Sequence, residues 1–415
     1  MTFRLTGYRW IAVIFWALTV LAIAIWSFVP GYVIGWDLRA CTDAIHSLKL
    51  GHDPYADGVA ALEGFQSQLA SHPNSSPPFI YVYGPITLPL LKLVGLLPLW
   101  LAGTGYWLLI AAGALVSIWA GMQLLEDEEG PVFFLLAPVV IFFPGLIQND
   151  AFFSGNVAYI LYGLILGAAT VGWRKDRWGW FYAAVLLAAC FKAPLLALLM
   201  IPLLSARRQW VPAGLTVVAW AAVFGAEWMV WPAESANYMR SLDRMFTLSR
   251  DFSSSPAGLV ADALYGRVPY QLVLAGVYLM YAIPIVGTLF YLSRRFFSGQ
   301  MSRGQWIPVM LIGVILLNPR IQEYDVAPIT IAMALVAWRV LSRGGVSLRS
   351  VVMRSAFCFA AANILGAYRW RATECLVLVG LFMAGAWCLS MAPSAESAVA
   401  PAEIEESELA AMGWP

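Results

Sequence analysis

The chain has 415 residues, of which 61% are hydrophobic and only 12% charged, with a formal net charge of +1 and a mean hydropathy of +0.73. A soluble domain needs a far more polar skin, and a charge this close to zero argues for neither nucleic acid nor an acidic partner. Solid apolar runs, rather than alternating ones, exclude a β-barrel and predict an all-α polytopic membrane protein.

Basic loops locate the inner face and set the threading. They are Arg174-Lys175-Asp176-Arg177, Arg207-Arg208, Arg294-Arg295 to Arg303, and Arg343 to Arg349. Residues 9–29 follow Arg4 and Arg9 and read as an uncleaved first span that leads outward. An outer loop of about residues 30–99 comes next, carrying amphipathic helices; its apolar end, residues 86–97, is too short for a span and is assigned to the interface. Spans at about 100–123, 131–146 and 156–172 follow. Residues 178–204 have basic loops on both sides and Lys192-Ala193-Pro194 in the middle, which predicts two short helices with Lys192 at their outer turn. A span at about 210–230 leads to a second outer loop, residues 231–268. Spans at about 269–292 and 305–317, a return helix, and the pair 351–367 and 373–391 bring the count to about eleven or twelve. With twelve, Tyr368-Arg369-Trp370-Arg371 falls outside, against the positive-inside rule. Residues 1–391 thus form one integral-membrane domain, and the Ala-, Pro-, Ser- and Glu-rich residues 392–415 a disordered cytoplasmic tail. Trp and Tyr flank many of the apolar runs, as interfacial anchors do.

The five cysteines show no CxxC spacing, and His46, His52 and His72 lack ligand spacing, so no disulfide framework or metal site is expected. No phosphate loop, dinucleotide fingerprint or zinc motif is present.

The threading collects the unusual polar residues on the outer side: Asp37, Asp43, Asp150, Asn156, Lys192, Arg320, Glu323 and Asp325. Ionisable groups at membrane depth are costly and default to a functional reading. Carboxylates serve as general bases, and Lys and Arg hold phosphate. Each has a bland counterpart. Asp37 is a good N-cap for a helix over residues 38–50. Asp43, His46 and Lys49 share the wet face of that helix, and Asp53-Pro54-Tyr55 is good turn chemistry. Lys192 is able to snorkel, Arg320 to pair with Glu323 or Asp325, and the charges of residues 231–268 to form a solvated helix face.

Asp37, then Gly51-His52-Asp53-Pro54-Tyr55 and Tyr83-Gly84-Pro85, resembles the first outer loop of glycosyltransferase family 87, which reads Asp, helix, Gly-x-Asp-Pro-Tyr, Tyr-Pro-Pro. Ser154-Gly155-Asn156-Val157, Phe191-Lys192-Ala193-Pro194 and Asn318-Pro319-Arg320 to Tyr324 are similar to its later motifs, in order; Gly84 replaces a Pro, and Glu323 and Tyr324 stand near the family's usual His. The resemblance implies a GT-C fold and a mannosyltransferase-like hexosyl transfer from a polyprenyl-phosphate donor to a lipid-linked or glycan acceptor. It implies an inverting reaction at the outer face of a bacterial cytoplasmic membrane. Asp37 is then the base, Arg320 and Lys192 hold the donor phosphate, and Asp53, Tyr55, Tyr83, Asn156, Glu323 and Tyr324 are candidates for acceptor or sugar binding. No cofactor is expected. The rival reading is a transporter or flippase of a lipid-linked sugar, which calls for mid-membrane charges and an internal repeat; no repeat is found.

Overall fold

The computed structural model describes residues 35–69, 78–126 and 154–391. The first and third predicted spans, Asp150 and the C-terminal tail lie outside the described residues. The elements run α1 (Trp36–Lys49), α2 (Pro54–Leu69), a 3-10 turn (Pro85–Thr87), α3 (Leu88–Val94), α4 (Leu99–Met122), α5 (Ala158–Lys175) and α6 (Gly179–Phe191). A 3-10 segment (Ala193–Leu199) continues into α7 (Met200–Ser205), followed by α8 (Trp210–Val230), α9 (Pro232–Thr247), α10 (Pro256–Ala263), α11 (Tyr270–Phe297) and α12 (Arg303–Leu316). Last come α13 (Glu323–Val326), a 3-10 turn (Ala327–Ile329), α14 (Thr330–Leu341) and α15 (Leu348–Ser390). No strand occurs among the described residues.

Five helical segments are long and apolar enough to cross a membrane: Leu99–Met122, Trp210–Val230, Tyr270–Phe297, Glu323–Leu341 and Leu348–Ser390. On α4, α8 and α11 the large apolar side chains point outward, as at Leu108, Leu215, Val218 and Met280. A surface of this kind suits lipid rather than water. The protein is an all-α polytopic membrane protein.

Side-chain ties show that successive helices alternate in direction. At one end Trp173 Nε1 donates to Ser205 Oγ (2.9 Å), and Ser293 Oγ and Trp306 Nε1 both donate to the Leu204 carbonyl (2.9 and 3.1 Å). Arg295 Nη1 reaches the Leu389 carbonyl (2.8 Å), and Arg339 donates to the Gly304 carbonyl. The basic loops therefore gather at this end. At the opposite end the Asp37 amide donates to the Ser154 carbonyl (2.9 Å), and Lys192 reaches Asn156 (2.9 Å). Residues 178–205 are thus a hairpin with Lys192 at its tip, as the basic loops on both sides predict. α15 reverses at Arg369 (φ −145°, ψ 60°), so its middle lies at the Lys192 end and its C-terminus at the basic end.

Two helices that lead to the Lys192 end are short. α6 has 13 residues and α12 has 14, which at about 1.5 Å per residue reach only about 20 Å into a hydrocarbon layer of about 30 Å. Lys192 and Asn318 lie where these helices stop. α12 is buried along nearly its whole length and forms the centre of the bundle; it starts with a full capping box at Ser302 and Gln305. α4 and α5 cross backbone to backbone, because a Cβ on Gly163 would lie 2.6 Å from Gly113 Cα; small residues permit such contact.

Residues 86–97 contain the short helix α3, and Leu93 in it and Leu96 after it are exposed, in keeping with an interfacial segment. One local expectation is corrected. Asp37 does not cap α1: the helix begins at Trp36 behind Gly35, whose φ of 78° is left-handed, and there is no side-chain cap. The Asp37 carboxylate, in the first turn, is turned toward another element.

Candidate active site

A cavity of about 900 Å³ opens at the Lys192 end. Its polar wall is assembled from the start of α1 (Asp37), the turn before α5 (Asn156), the tip of the hairpin (Lys192) and residues 318–325. A second part of the lining comes from α9 and the first turns of α11 and is mainly apolar, with Leu242, Phe246, Leu274 and Ala275 beside Tyr238, Tyr270, Gln271 and Tyr278.

Asn156 is the hinge of the polar wall. It is 2% exposed, and its amide is nearly saturated. Nδ2 donates to Asp37 Oδ2 (2.8 Å), while Oδ1 accepts from Lys192 Nζ (2.9 Å) and from the Ala158 amide (2.9 Å). Base candidate and cation are thus tied through one side-chain amide. Lys192 Nζ also lies 3.9 Å from the centre of the Tyr324 ring, a cation–π contact that fixes the ammonium without neutralising it. Burial pushes the Asp37 carboxyl above its ordinary value, and the Asn156 hydrogen bond and the Lys192 charge pull part of that back. A carboxylate raised in this way is a stronger proton acceptor than a solvated one.

Arg320 is not paired with Glu323 or Asp325. Its Nη2 donates to Asp251 Oδ2 (2.6 Å). Arg371 Nη2 (3.1 Å) and Gln322 Nε2 (2.8 Å) donate to the other oxygen of Asp251. Burial alone would raise the Asp251 carboxyl, but Arg320 and Arg371 outweigh it and hold the group below its usual value. The expectation that the charges of residues 231–268 form a solvated face fails here, because Ser254 N bonds the Ile321 carbonyl (2.8 Å) and Ser255 Oγ the Pro319 carbonyl (2.9 Å), which folds Asp251 against the 318–322 segment. Ser253, at φ 102°, holds a strained backbone in this knot.

The remaining candidates divide. Tyr83, Glu323 and Tyr324 line the cavity, and Glu323 Oε2 has no hydrogen-bond partner. Asp53 and Tyr55 do not line it. Asp53 accepts from the Tyr55 amide (2.9 Å) and from Asn237 Nδ2 (2.7 Å), so it fixes α2 and docks α9. Tyr55 is fully buried and donates to the Tyr83 carbonyl behind the wall. Sequence reasoning missed Asp251 and Arg371. For Arg371 a signal existed: an Arg-Trp-Arg cluster on the side opposite the basic loops. Asp251 sits in an Asp-Phe-Ser-Ser-Ser-Pro turn that looks like loop chemistry alone. Among the described residues no group of His, Cys, Asp and Glu is placed to hold a metal ion.

A cavity with polar and apolar lining, among helices whose outer surfaces suit lipid, marks a membrane-embedded protein with a site for a small polar group. The sequence model of glycosyltransferase family 87 matches residues 81–319. That is more than half of the chain, and the protein belongs to this family and is a membrane glycosyltransferase. No curated protein and no solved structure matches. The match holds Tyr83, Asn156, Lys192 and Asp251; Asp37, Arg320 and Arg371 lie beyond its ends.

Proposed function

We propose that the protein transfers a hexosyl group, as a mannosyltransferase does, from a polyprenyl-phosphate donor to a hydroxyl of a lipid-linked or glycan acceptor, with inversion, at the outer face of a bacterial cytoplasmic membrane. The observation that carries this reading is the Asp37–Asn156–Lys192 chain in one cavity with a mainly apolar stretch of lining. Asp37 takes the proton of the acceptor hydroxyl as its oxygen attacks the anomeric carbon. The bond from that carbon to the phosphate oxygen breaks, and its electron pair leaves with the lipid phosphate. Lys192 and Arg320 stabilise the charge that develops there. The prenyl chain follows Leu274 and Ala275 at the start of α11, whose outer side meets lipid. Tyr83, Glu323 and Tyr324 line the space left for the sugars. Asn156 acts by orienting Asp37 rather than by touching sugar, since its amide is already committed.

The test is transfer from a synthetic prenyl-phosphate sugar by the purified protein, with Asp37→Asn alongside. A positioned general base contributes about a hundred- to ten-thousand-fold, so the variant should lose that much in kcat while keeping its melting temperature. A folded variant that transfers at the wild-type rate removes Asp37 from the role. Movement of the lipid-linked sugar across a bilayer with no glycosidic product would instead establish a flippase.

A further inference from the structure

The donor phosphate has a third cationic partner in reach. We propose that Arg371 binds the phosphate of the lipid-linked donor together with Arg320 and Lys192; this rests on the donor reading above. Arg371 lies in the C-terminal helix, outside the residues matched to the family, and reaches the cavity only because α15 reverses at Arg369. Two guanidinium groups then share one carboxylate, since Arg320 and Arg371 both bond Asp251. Arginine stays protonated throughout the working pH range, so two guanidinium groups on one carboxylate leave this cluster with a net positive charge.

The donors are not exhausted either. Arg371 spends Nη1 on the Arg250 carbonyl (3.2 Å) and Nη2 on Asp251. About a quarter of the Arg320 side chain (23%) and a third of that of Arg371 (31%) remain accessible, and both residues line the cavity. A fork of N–H donors with a residual charge is what a phosphate group takes up. Asp37, Glu323 and Asp325 line the same cavity. Against three carboxylates an anionic headgroup needs more than one free cation to enter. A structural tie between α15 and the Asp251 turn would explain one guanidinium–carboxylate bond. It does not explain why two guanidinium groups that both line the cavity converge on a single carboxylate.

The experiment measures binding of a polyprenyl monophosphate, without sugar, to the full-length protein in lipid nanodiscs. Arg371→Ala should bind about ten- to a hundred-fold more weakly, the worth of a hydrogen bond to a charged group. Arg371→Lys, which keeps the charge but loses the fork, should recover part of this. Asp251→Asn should bind as tightly as wild type or tighter, because it releases both guanidinium groups to the ligand. A structural tie predicts the opposite sign: Asp251→Asn and Arg371→Ala weaken binding alike, and that result overturns the proposal. So does wild-type affinity in Arg371→Ala. A wild-type protein that binds no polyprenyl phosphate refutes the donor reading itself and takes this site with it.

Discussion

Replacing Asn156 with alanine tests whether the amide tunes the base. The substitution removes one N–H···O bond to the ionised Asp37 and removes the acceptor of Lys192 Nζ and of the Ala158 amide. A hydrogen bond to a charged group is worth about 1.5–3 kcal/mol. Its loss favours the protonated acid, so Asp37, already raised by burial, rises further. The sign follows directly. A base works only when deprotonated, so activity is lost as pH falls through its pKa, and a higher pKa moves that loss to higher pH. At a fixed pH on the acidic limb the ionised fraction should drop about ten- to a hundred-fold, by the conversion of 1.36 kcal/mol per tenfold. The assay is the pH dependence of kcat for prenyl-phosphate-sugar transfer, wild type against Asn156→Ala. Rates of the two enzymes should converge as pH rises, to the extent that Lys192 holds its place over Tyr324. A uniform fall in kcat with the acidic limb unmoved would refute the reasoning and leave Asn156 a packing residue or a sugar ligand.

Asp53→Ala should lower the melting temperature, since two hydrogen bonds worth about 1 kcal/mol each are lost, yet change KM for the acceptor little; a large rise in KM with unchanged stability would return Asp53 to the binding site. Gly113→Leu should abolish or strongly reduce folded protein in a detergent-stability assay, because even a Cβ collides with the Tyr159 carbonyl, and overpacking costs about 1–3 kcal/mol or more. In Gly84→Ala the new Cβ would meet the Cys190 carbonyl at 2.8 Å and Glu227 Oε1 at 3.4 Å; the hairpin tip two residues from Cys190 must shift, so donor KM should rise, and an unaltered KM would count against Lys192 as a phosphate ligand.

The helices were legible because lipid demands continuous apolar runs and basic loops mark one side. Those two signals gave the ends of α4, α8 and α12 to within a few residues, and they placed Lys192 at a hairpin tip before any coordinates. The polar wall was legible in part for the same reason: Asn156 and Lys192 interrupt apolar sequence, where a polar side chain needs a justification. What sequence could not supply was pairing. Whether Arg320 meets Glu323, Asp325 or Asp251 depends on how the 251–255 turn folds over the 318–322 segment, and that contact spans 69 residues. The motif Asp-Pro-Tyr is ambiguous for a related reason. Its residue types suit a sugar site and a tight turn equally well, and only the bonds of Asp53 to the Tyr55 amide and to Asn237 separate the two.

The short helices explain why these side chains fall together. An α6 or α12 long enough to cross the layer would carry Lys192 or Arg320 out to water, where a charge is screened and its interactions are weak. Helices about a third shorter than the hydrocarbon thickness end in chain reversals whose polar groups call for partners from the protein. Asn156 and Asp251 meet that demand, each by holding a cation. In doing so they orient Lys192, Arg320 and Arg371 toward one cavity. The demand that the bilayer makes on a broken helix is thus met by the same bonds on which the proposed donor site rests.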